Sequence, residues 1–350
     1  MLRDIMIEGR KIGLSAKPFI IAEISGNHNQ SLERALKIVE EAKKSGADAI
    51  KLQTYTPDSM TLPLNETEFV VGHSLHLWKG KSLYELYEEA FTPWEWHEQI
   101  FKRAKELDMI AFSTAFDETA VDFLESLNVP LYKIASFENT DLPLIRKVAQ
   151  TGKPIIISTG MATAGEIDET LRTAREAGGK DIILLKCTST YPASPENTNL
   201  VTIPHLKELF QCQVGLSDHT MGIGTAIASI PLGATVIEKH MTLSRDEGGV
   251  DAAFSLEPKE MEFLVVESER AWQSLGHIQY GPTKAEEASL HYRRSLYVGK
   301  DMRAGDVFTK ENLRIIRPGF GLEPKYYDFL LGKQVKKNVK IGTKVSWDLI

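Results

Sequence analysis

Eight short apolar runs rich in β-branched residues recur along the chain: FIIAEI (19–24), DAIKLQ (48–53), MIAFST (109–114), LYKIAS (131–136), PIIIST (154–159), DIILLKC (181–187), QVGLSD (213–218) and TVIEKH (235–240). Between them lie segments with apolar residues at three- and four-residue spacing, such as SLERALKIVEEAKKSG, which closes on a glycine. TAGEIDETLRTAREAGG opens with Thr163 and Glu166 at the spacing of a capping box. Strands apolar on both faces, alternating with amphipathic helices, predict a parallel sheet covered on its outer face. Eight such units in about 220 residues predict a (β/α)8 TIM barrel. A doubly wound open sheet is the alternative, but no GxGxxG follows the first run, which weakens a dinucleotide-binding version of it.

Other segments break this rhythm. Residues 5–13, IMIEGRKIG, predict a hairpin turning at Glu8-Gly9 that lids the bottom of the barrel. Residues 54–96 form a long insertion after the second run, too rich in tryptophan and tyrosine for a disordered loop. A polar linker follows near 276–290. Beyond it, KDMRAGDVFTKE (300–311) repeats as KNVKIGTKVSWD (337–348) at a constant offset of 37. Two copies are too few for a solenoid and predict a small β domain built from two related halves. The expected domains are a barrel over 1–282 and a small domain over 283–350.

Composition narrows the class. The chain has 350 residues, 42% hydrophobic and 25% charged, with a net charge of −7. This is a globular composition, and its sign argues against a nucleic-acid partner. No run of eighteen apolar residues predicts a membrane span, and the first residues carry no apolar signal core. Two cysteines, Cys187 and Cys212, do not make a disulfide framework, so the expected location is cytoplasmic.

In such a barrel the chemistry sits where strands end. The first run ends in Glu23, followed by Ser25-Gly26-Asn27-His28. The second ends in Lys51 and Gln53, two apart and so on one face. The third ends in Ser113-Thr114, and the fourth carries Lys133 and Ser136, then Glu138. The fifth ends in Ser158-Thr159-Gly160, the sixth is followed by Thr188, Ser189, Thr190 and Tyr191, the seventh ends in Ser217-Asp218-His219, and the eighth in Glu238 and His240. Any one polar strand end simply meets solvent; eight together predict a site. Lysines inside apolar strands are tolerated only against an anion or a carboxylate. Lysines with serine, threonine and glycine suit phosphate and carboxylate. His219 and His240 on neighbouring strands are either hydrogen-bonding core groups or two ligands of a catalytic metal. Cys187 reads as a small buried strand-end residue with no base beside it.

The stretches IAEISGNHNQSLERALKIVEEAKKSGADAIKLQTY, YKIASFE, IISTGMAT, LLKCTSTYP, GLSDHTMGIG, GATVIEKHMTL and RPGFGLEP, in that order, resemble the sialic acid synthase family over nearly the whole chain. Within it, LWKGKSLYELYEEAFTPWEWH, LKCTSTYP and RPGFGLEPKYYDFLLGK resemble the pseudaminic acid synthase branch. The resemblance implies a transferase that condenses phosphoenolpyruvate with 2,4-diacetamido-2,4,6-trideoxy-L-altrose. It implies a divalent metal cation (Mn2+, Co2+ or Mg2+) on His219 and His240, and a C-terminal antifreeze-like SAF domain. It also implies a domain-swapped homodimer in which that domain covers the partner's active site. Glu23 would stabilise the cation at C2 and activate the attacking water. Lys51, Lys133, Ser136, Ser158, Thr159 and Gly160 would hold phosphate and carboxylate. Gln53, Tyr191 and Asp251 would contact the sugar, with Arg317 reaching it from the other subunit, and Glu138, Ser189 and Asp218 would bind substrate. Glu238 would orient His240 or a metal-bound water, and Lys239 would point away as a structural residue. The neuraminate branch usually has asparagine where Ser189 stands. Rival readings are an N-acetylneuraminate or legionaminate synthase, and a non-enzymatic ice-binding module.

Overall fold

The computed structural model describes residues 2–72 and 78–350, which form two compact units, Met1–Gly276 and His277–Ile350. The first opens with a hairpin, β1 (Ile5–Ile7) and β2 (Arg10–Ile12), paired as Ile5↔Ile12 and Ile7↔Arg10. Its turn residues, Glu8 (φ 45°) and Gly9 (φ 82°), are both left-handed, the geometry that a two-residue hairpin turn requires. Alternation then buries Ile5, Ile7 and Ile12 against Phe19, Ile21 and Phe112 of the strands that follow, so the hairpin plugs one end of the sheet.

Those strands are β3 (Phe19–Glu23), β4 (Ala49–Thr54), β5 (Ile110–Ala115), β6 (Tyr132–Ile134), β7 (Ile155–Ser158), β8 (Ile182–Cys187), β9 (Gln213–Asp218) and β10 (Val236–His240). All pair in parallel, and β10 pairs with both β9 and β3, which closes the barrel and excludes the open sheet. Each strand is apolar on both faces because both are buried. In β7, Ile156 joins the interior cluster, whereas Ile155 and Ile157 pack under the helices. In β10, Ile237 packs outward among Ile38, Leu264 and Met261.

The segment between β4 and the helix Trp94–Glu106 is ordered on both sides of residues 73–77; that short part of the expected insertion lies outside the described residues. A helix at Leu83–Ala90 starts on Ser82, whose hydroxyl accepts from the Glu85 N–H while the Glu85 carboxylate accepts from the Ser82 N–H. Val70 bridges Ser82, and Tyr55, Val71 and Leu86 are buried. No helix among the described residues is long and apolar enough to cross a membrane.

The second unit begins with an exposed stretch, 277–294, then β11 (Ser295–Val298) and β12 (Leu313–Ile316). The 37-residue repeat is a structural near-twofold. Met302 and Val339 exchange both backbone hydrogen bonds (2.8 and 2.9 Å). Gly305 N–H donates to Val335, and its counterpart Gly342 donates to Val298, the counterpart of Val335. Both glycines have positive φ (92° and 83°), which fixes glycine at the equivalent turns. The side chains of Val298, Val335, Phe308 and Val345 fill the core between the halves.

Candidate active site

Barrel closure turns the alternate residues at the strand ends toward one cavity of about 460 Å3. Lys51, Gln53, Lys133, Ser136, Glu138, Ser158, Ser189, Tyr191, His219, His240 and Asp251 all line it, together with Glu238 and Cys187. At its floor runs an alternating chain of buried charge. Lys51 Nζ lies 2.5 Å from Glu23 Oε2 and 3.5 Å from Glu238 Oε1; Lys133 Nζ lies 3.6 Å from the same Glu238 oxygen. Four ionisable groups stripped of water persist only because each faces opposite charge. Glu23 sits beneath the floor, fully buried, with Gln53 Nε2 donating to it at 3.0 Å. Burial raises its pKa, Lys51 offsets part of this and Glu238 adds to it, so the carboxyl titrates at about 7. Burial lowers Lys133; for Lys51 burial is outweighed by Glu23 and Glu238, and its pKa rises.

Glu238 therefore does something the sequence did not suggest. It bridges the two lysines and accepts from Ser217 Oγ at 3.3 Å; it does not orient His240. Burial alone would raise its pKa, but Lys133, then Lys51, pull it below the ordinary value.

The two imidazoles stand with ring centroids 5.2 Å apart, packed by Phe254 at 5.9 and 5.0 Å. His240 is buried and its Nδ1 has no hydrogen-bond partner; Asp251 Oδ2 lies 3.6 Å from that nitrogen. Burial, reinforced by His219, holds its pKa well below the usual value, so the ring stays neutral. Asp251 is fixed by the Ser25 hydroxyl. His219 Nδ1 lies 3.0 Å from the Thr188 carbonyl and 3.8 Å from Cys187 Sγ. Cys187 thus does have a base beside it, contrary to expectation. The two residues are 32 apart in sequence and meet only because β8 and β9 are neighbours. Burial pushes the thiol up, but His219 more than offsets this and brings it to about 7. Burial likewise opposes charge on His219, and Cys187 outweighs it.

Asp218, Thr159 and Gly160 do not line the cavity. Asp218 takes the outward position beside inward Ser217; its carboxylate lies 2.9 Å from Lys239 Nζ in the wall between β9 and β10, and accepts from Thr220 N–H. Lys239 is fully buried there and structural, as its parity implied. Thr159 turns its hydroxyl onto the Leu185 carbonyl at 3.2 Å. Gly160 N–H donates to Ser136 Oγ at 3.1 Å, and a Cβ at Gly160 would stand 2.1 Å from Ser189 Oγ, so a side chain there would displace both serine hydroxyls. Arg317 belongs to the second unit and is exposed. Glu138 is mostly buried with one unpartnered carboxylate oxygen; burial, against Lys133, raises its pKa to about 7. His28 is structural: it is buried, and burial lowers its pKa to about 4.

Comparison with known proteins agrees with this arrangement. The sequence profile of the NeuB family matches residues 38–280, and that of the SAF domain matches 293–350. A pseudaminic acid synthase from Campylobacter jejuni is 45% identical over 329 residues, covering 93% of this chain and 94% of that protein. An N,N'-diacetyllegionaminic acid synthase from the same organism is 36% identical, covering 93% and 97%. The crystal structure of an N-acetylneuraminic acid (sialic acid) synthetase from Leptospira borgpetersenii, in complex with citrate, superposes with a TM-score of 0.73 at 31% identity, over 84% of this chain and 97% of that one. A closed barrel with paired lysines and histidines at its strand ends, joined to an SAF domain and matched along nearly its full length by such synthases, means that this chain belongs to the NeuB family of sialic acid synthases.

Proposed function

We propose that the protein condenses phosphoenolpyruvate with 2,4-diacetamido-2,4,6-trideoxy-L-altrose, giving pseudaminic acid and inorganic phosphate. The observation that carries the reading is the buried Glu23–Lys51–Glu238–Lys133 chain beneath a cavity that also holds two imidazoles. Two buried ammonium groups side by side suit a small ligand with both a phosphate and a carboxylate. The choice of sugar is supported by 45% identity to a pseudaminic acid synthase against 36% to a legionaminic acid synthase.

The arriving anion takes over the charge of Lys51 and Lys133, with Ser136 and Ser158 donating to it. Thr159 and Gly160 hold the turn that shapes this end. Gln53, Glu138, Ser189, Tyr191 and Asp251 orient the sugar, so that its aldehyde carbon faces C3 of the enolpyruvate. The new C–C bond leaves positive charge at C2, and Glu23, relieved of Lys51, is the carboxylate that faces it. Water then adds to C2 and gives one proton to Glu23. The C–O bond to phosphate breaks as the C2 hydroxyl becomes the ketone and its proton leaves with phosphate, while the former aldehyde oxygen, left as an alkoxide, takes the proton held by Glu23. Asp218 contributes only through Lys239 and the β9–β10 wall.

His219 and His240 fit a divalent cation. Two imidazoles at neighbouring strand ends, one of them a neutral ring with an unpartnered buried nitrogen, suit an open catalytic site better than a structural zinc. Such an ion supplies Lewis acidity that polarises the aldehyde. The active form in this reading is an exchanged homodimer in the cytoplasm, where phosphoenolpyruvate is made, with Arg317 of each copy serving the other's sugar through its planar donor fork.

The test is product identification by mass spectrometry and NMR after incubation with phosphoenolpyruvate and a panel of acetamido sugars, with phosphate release measured in parallel. Pseudaminic acid from the trideoxy-altrose is expected, with activity lost in excess chelator and restored by Mn2+, Co2+ or Mg2+. A nine-carbon acid formed only from N-acetylmannosamine would replace the sugar assignment, and full turnover in chelator would remove the cation.

A further inference from the structure

The cavity over the strand ends has two chemically different sides. Its floor is ionic. Among the described residues its wall, contributed by the segment between β4 and the helix Trp94–Glu106, is largely carbon: beside Tyr55, the side chains of Val71, Trp78, Leu83, Leu86 and Tyr87 face the space. The Trp78 indole N–H is already committed to the Val250 carbonyl at 2.9 Å. The Tyr87 hydroxyl is therefore the one polar group that these five side chains can offer a ligand. The wall is also held in place, by the Val70–Ser82 bridge and the reciprocal Ser82–Glu85 cap.

Its distance from the histidines is informative. Trp78 packs on Tyr191 with ring centroids 5.6 Å apart, and Tyr191 packs on His219 at 4.6 Å. Two ring-to-ring steps are comparable with the length of an extended hexose chain. A sugar whose aldehyde lies at the imidazoles therefore brings its far end against this wall. We propose that the wall is the specificity surface for that end: Val71, Leu83 and Leu86 pack on the C6 methyl of a 6-deoxy sugar and discriminate against a C6 hydroxyl, which would lose water against side chains that offer it no hydrogen bond. The inference rests on the reading that the substrate is a diacetamido-trideoxyhexose, and it assigns to the insertion the selection of 6-deoxy sugars.

The experiment compares kcat/KM for 2,4-diacetamido-2,4,6-trideoxy-L-altrose with that for its 6-hydroxy counterpart, or the inhibition constant where the counterpart is not turned over. Leu83 is half-buried and suits substitution. Wild type is expected to favour the 6-deoxy sugar roughly 10- to 100-fold, the range a single group commands in an apolar pocket. Leu83→Asn should narrow that ratio about fivefold or more, with KM for phosphoenolpyruvate unchanged. Leu83→Met, which keeps the apolar surface, should retain the ratio. Val71→Thr, isosteric, provides the same comparison if asparagine at position 83 unfolds the helix. A wild type that prefers the 6-deoxy sugar while a folded Leu83→Asn or Val71→Thr keeps the full ratio overturns the assignment of the wall. A wild type that makes no product from the trideoxy sugar but does from another acetamido hexose overturns the substrate reading itself, and the wall's role with it.

Discussion

Lys51 and Lys133 sit in the same cavity but in different electrostatic surroundings. Lys51 has two carboxylates against it, whereas Lys133 shares one at 3.6 Å. Replacing either with methionine keeps the stem and deletes the charge. Both variants are expected to raise KM for phosphoenolpyruvate at least tenfold, because one charge-assisted contact contributes about 1.5–3 kcal/mol. Lys51→Met should in addition leave Glu23 and Glu238 without their shared cation and lower kcat further. Unchanged phosphoenolpyruvate kinetics in both would take these lysines out of the reaction. Glu23 gives a separate readout, because its carboxyl titrates at about 7. Only the ionised form faces a cation or accepts a proton, and its fraction grows as pH rises. kcat/KM should therefore climb through pH 7, and Glu23→Gln should lose both that limb and most of the activity. A flat profile in the wild type across pH 6–8 would assign the proton elsewhere. Lys51 with Gln53 and Glu238 with His240 were visible in the sequence by parity, since polar residues two apart at the end of an apolar run share a face; Glu23 and Lys133 stood out only as charges within apolar runs. The link from Cys187 to His219 and the bridging role of Glu238 were not visible, because they join residues of different strands.

At the scale of elements, the insertion and the helix that follows it are anchored to the barrel through His97. Its Nε2 lies 2.8 Å from Thr54 Oγ1 on β4, and its Nδ1 lies 3.3 Å from the Pro93 carbonyl. The ring is buried, and burial, only partly offset by the Pro93 carbonyl, lowers its pKa to about 4. A histidine depressed in the folded state adds stability above its unfolded pKa of about 6.5, and that stability is lost as pH falls toward the folded value. His28 behaves in the same way. Glu23 and Glu138, raised to about 7, act in the opposite sense over the same range, so the two histidines supply one component of the urea stability, and it is this component whose slope falls between pH 6.5 and 4. His97→Gln should flatten part of that slope while lowering stability at pH 7.5. An unchanged slope in the variant would mean that other groups carry the acid sensitivity. The helices and strands themselves were legible because hydrophobic period reports directly on which face is buried. The insertion was legible only as a length of aromatic-rich chain: its helix at Leu83–Ala90 and its apolar face depend on a cap and a bridge made within the folded segment.

At the scale of the whole molecule, the exposed Arg317 of the second unit offers a test of the proposed exchanged dimer. Arg317→Ala is expected to raise KM for the sugar more than KM for phosphoenolpyruvate. Mixing Arg317→Ala with Glu23→Gln under conditions of subunit exchange should regenerate activity, because one site of each mixed dimer receives both intact residues. If exchange is demonstrated by mass-tagged subunits and no activity returns, Arg317 does not act across subunits.

By itself the sequence determined which eight stretches are the barrel strands, that helices alternate with them, and that the second unit has two related halves. Each of these follows from a period or an offset along the chain, and each is enforced by burial of whichever face is apolar. Only the tertiary structure decided that the sheet closes through β10 on β3 rather than staying open. Closure sets which strand ends are neighbours. It therefore fixed that Glu238 spans two lysines, that Asp218 faces Lys239 instead of the cavity, and that His219 meets Cys187. Those pairings depend on distances between strands, and no pattern along one strand encodes them.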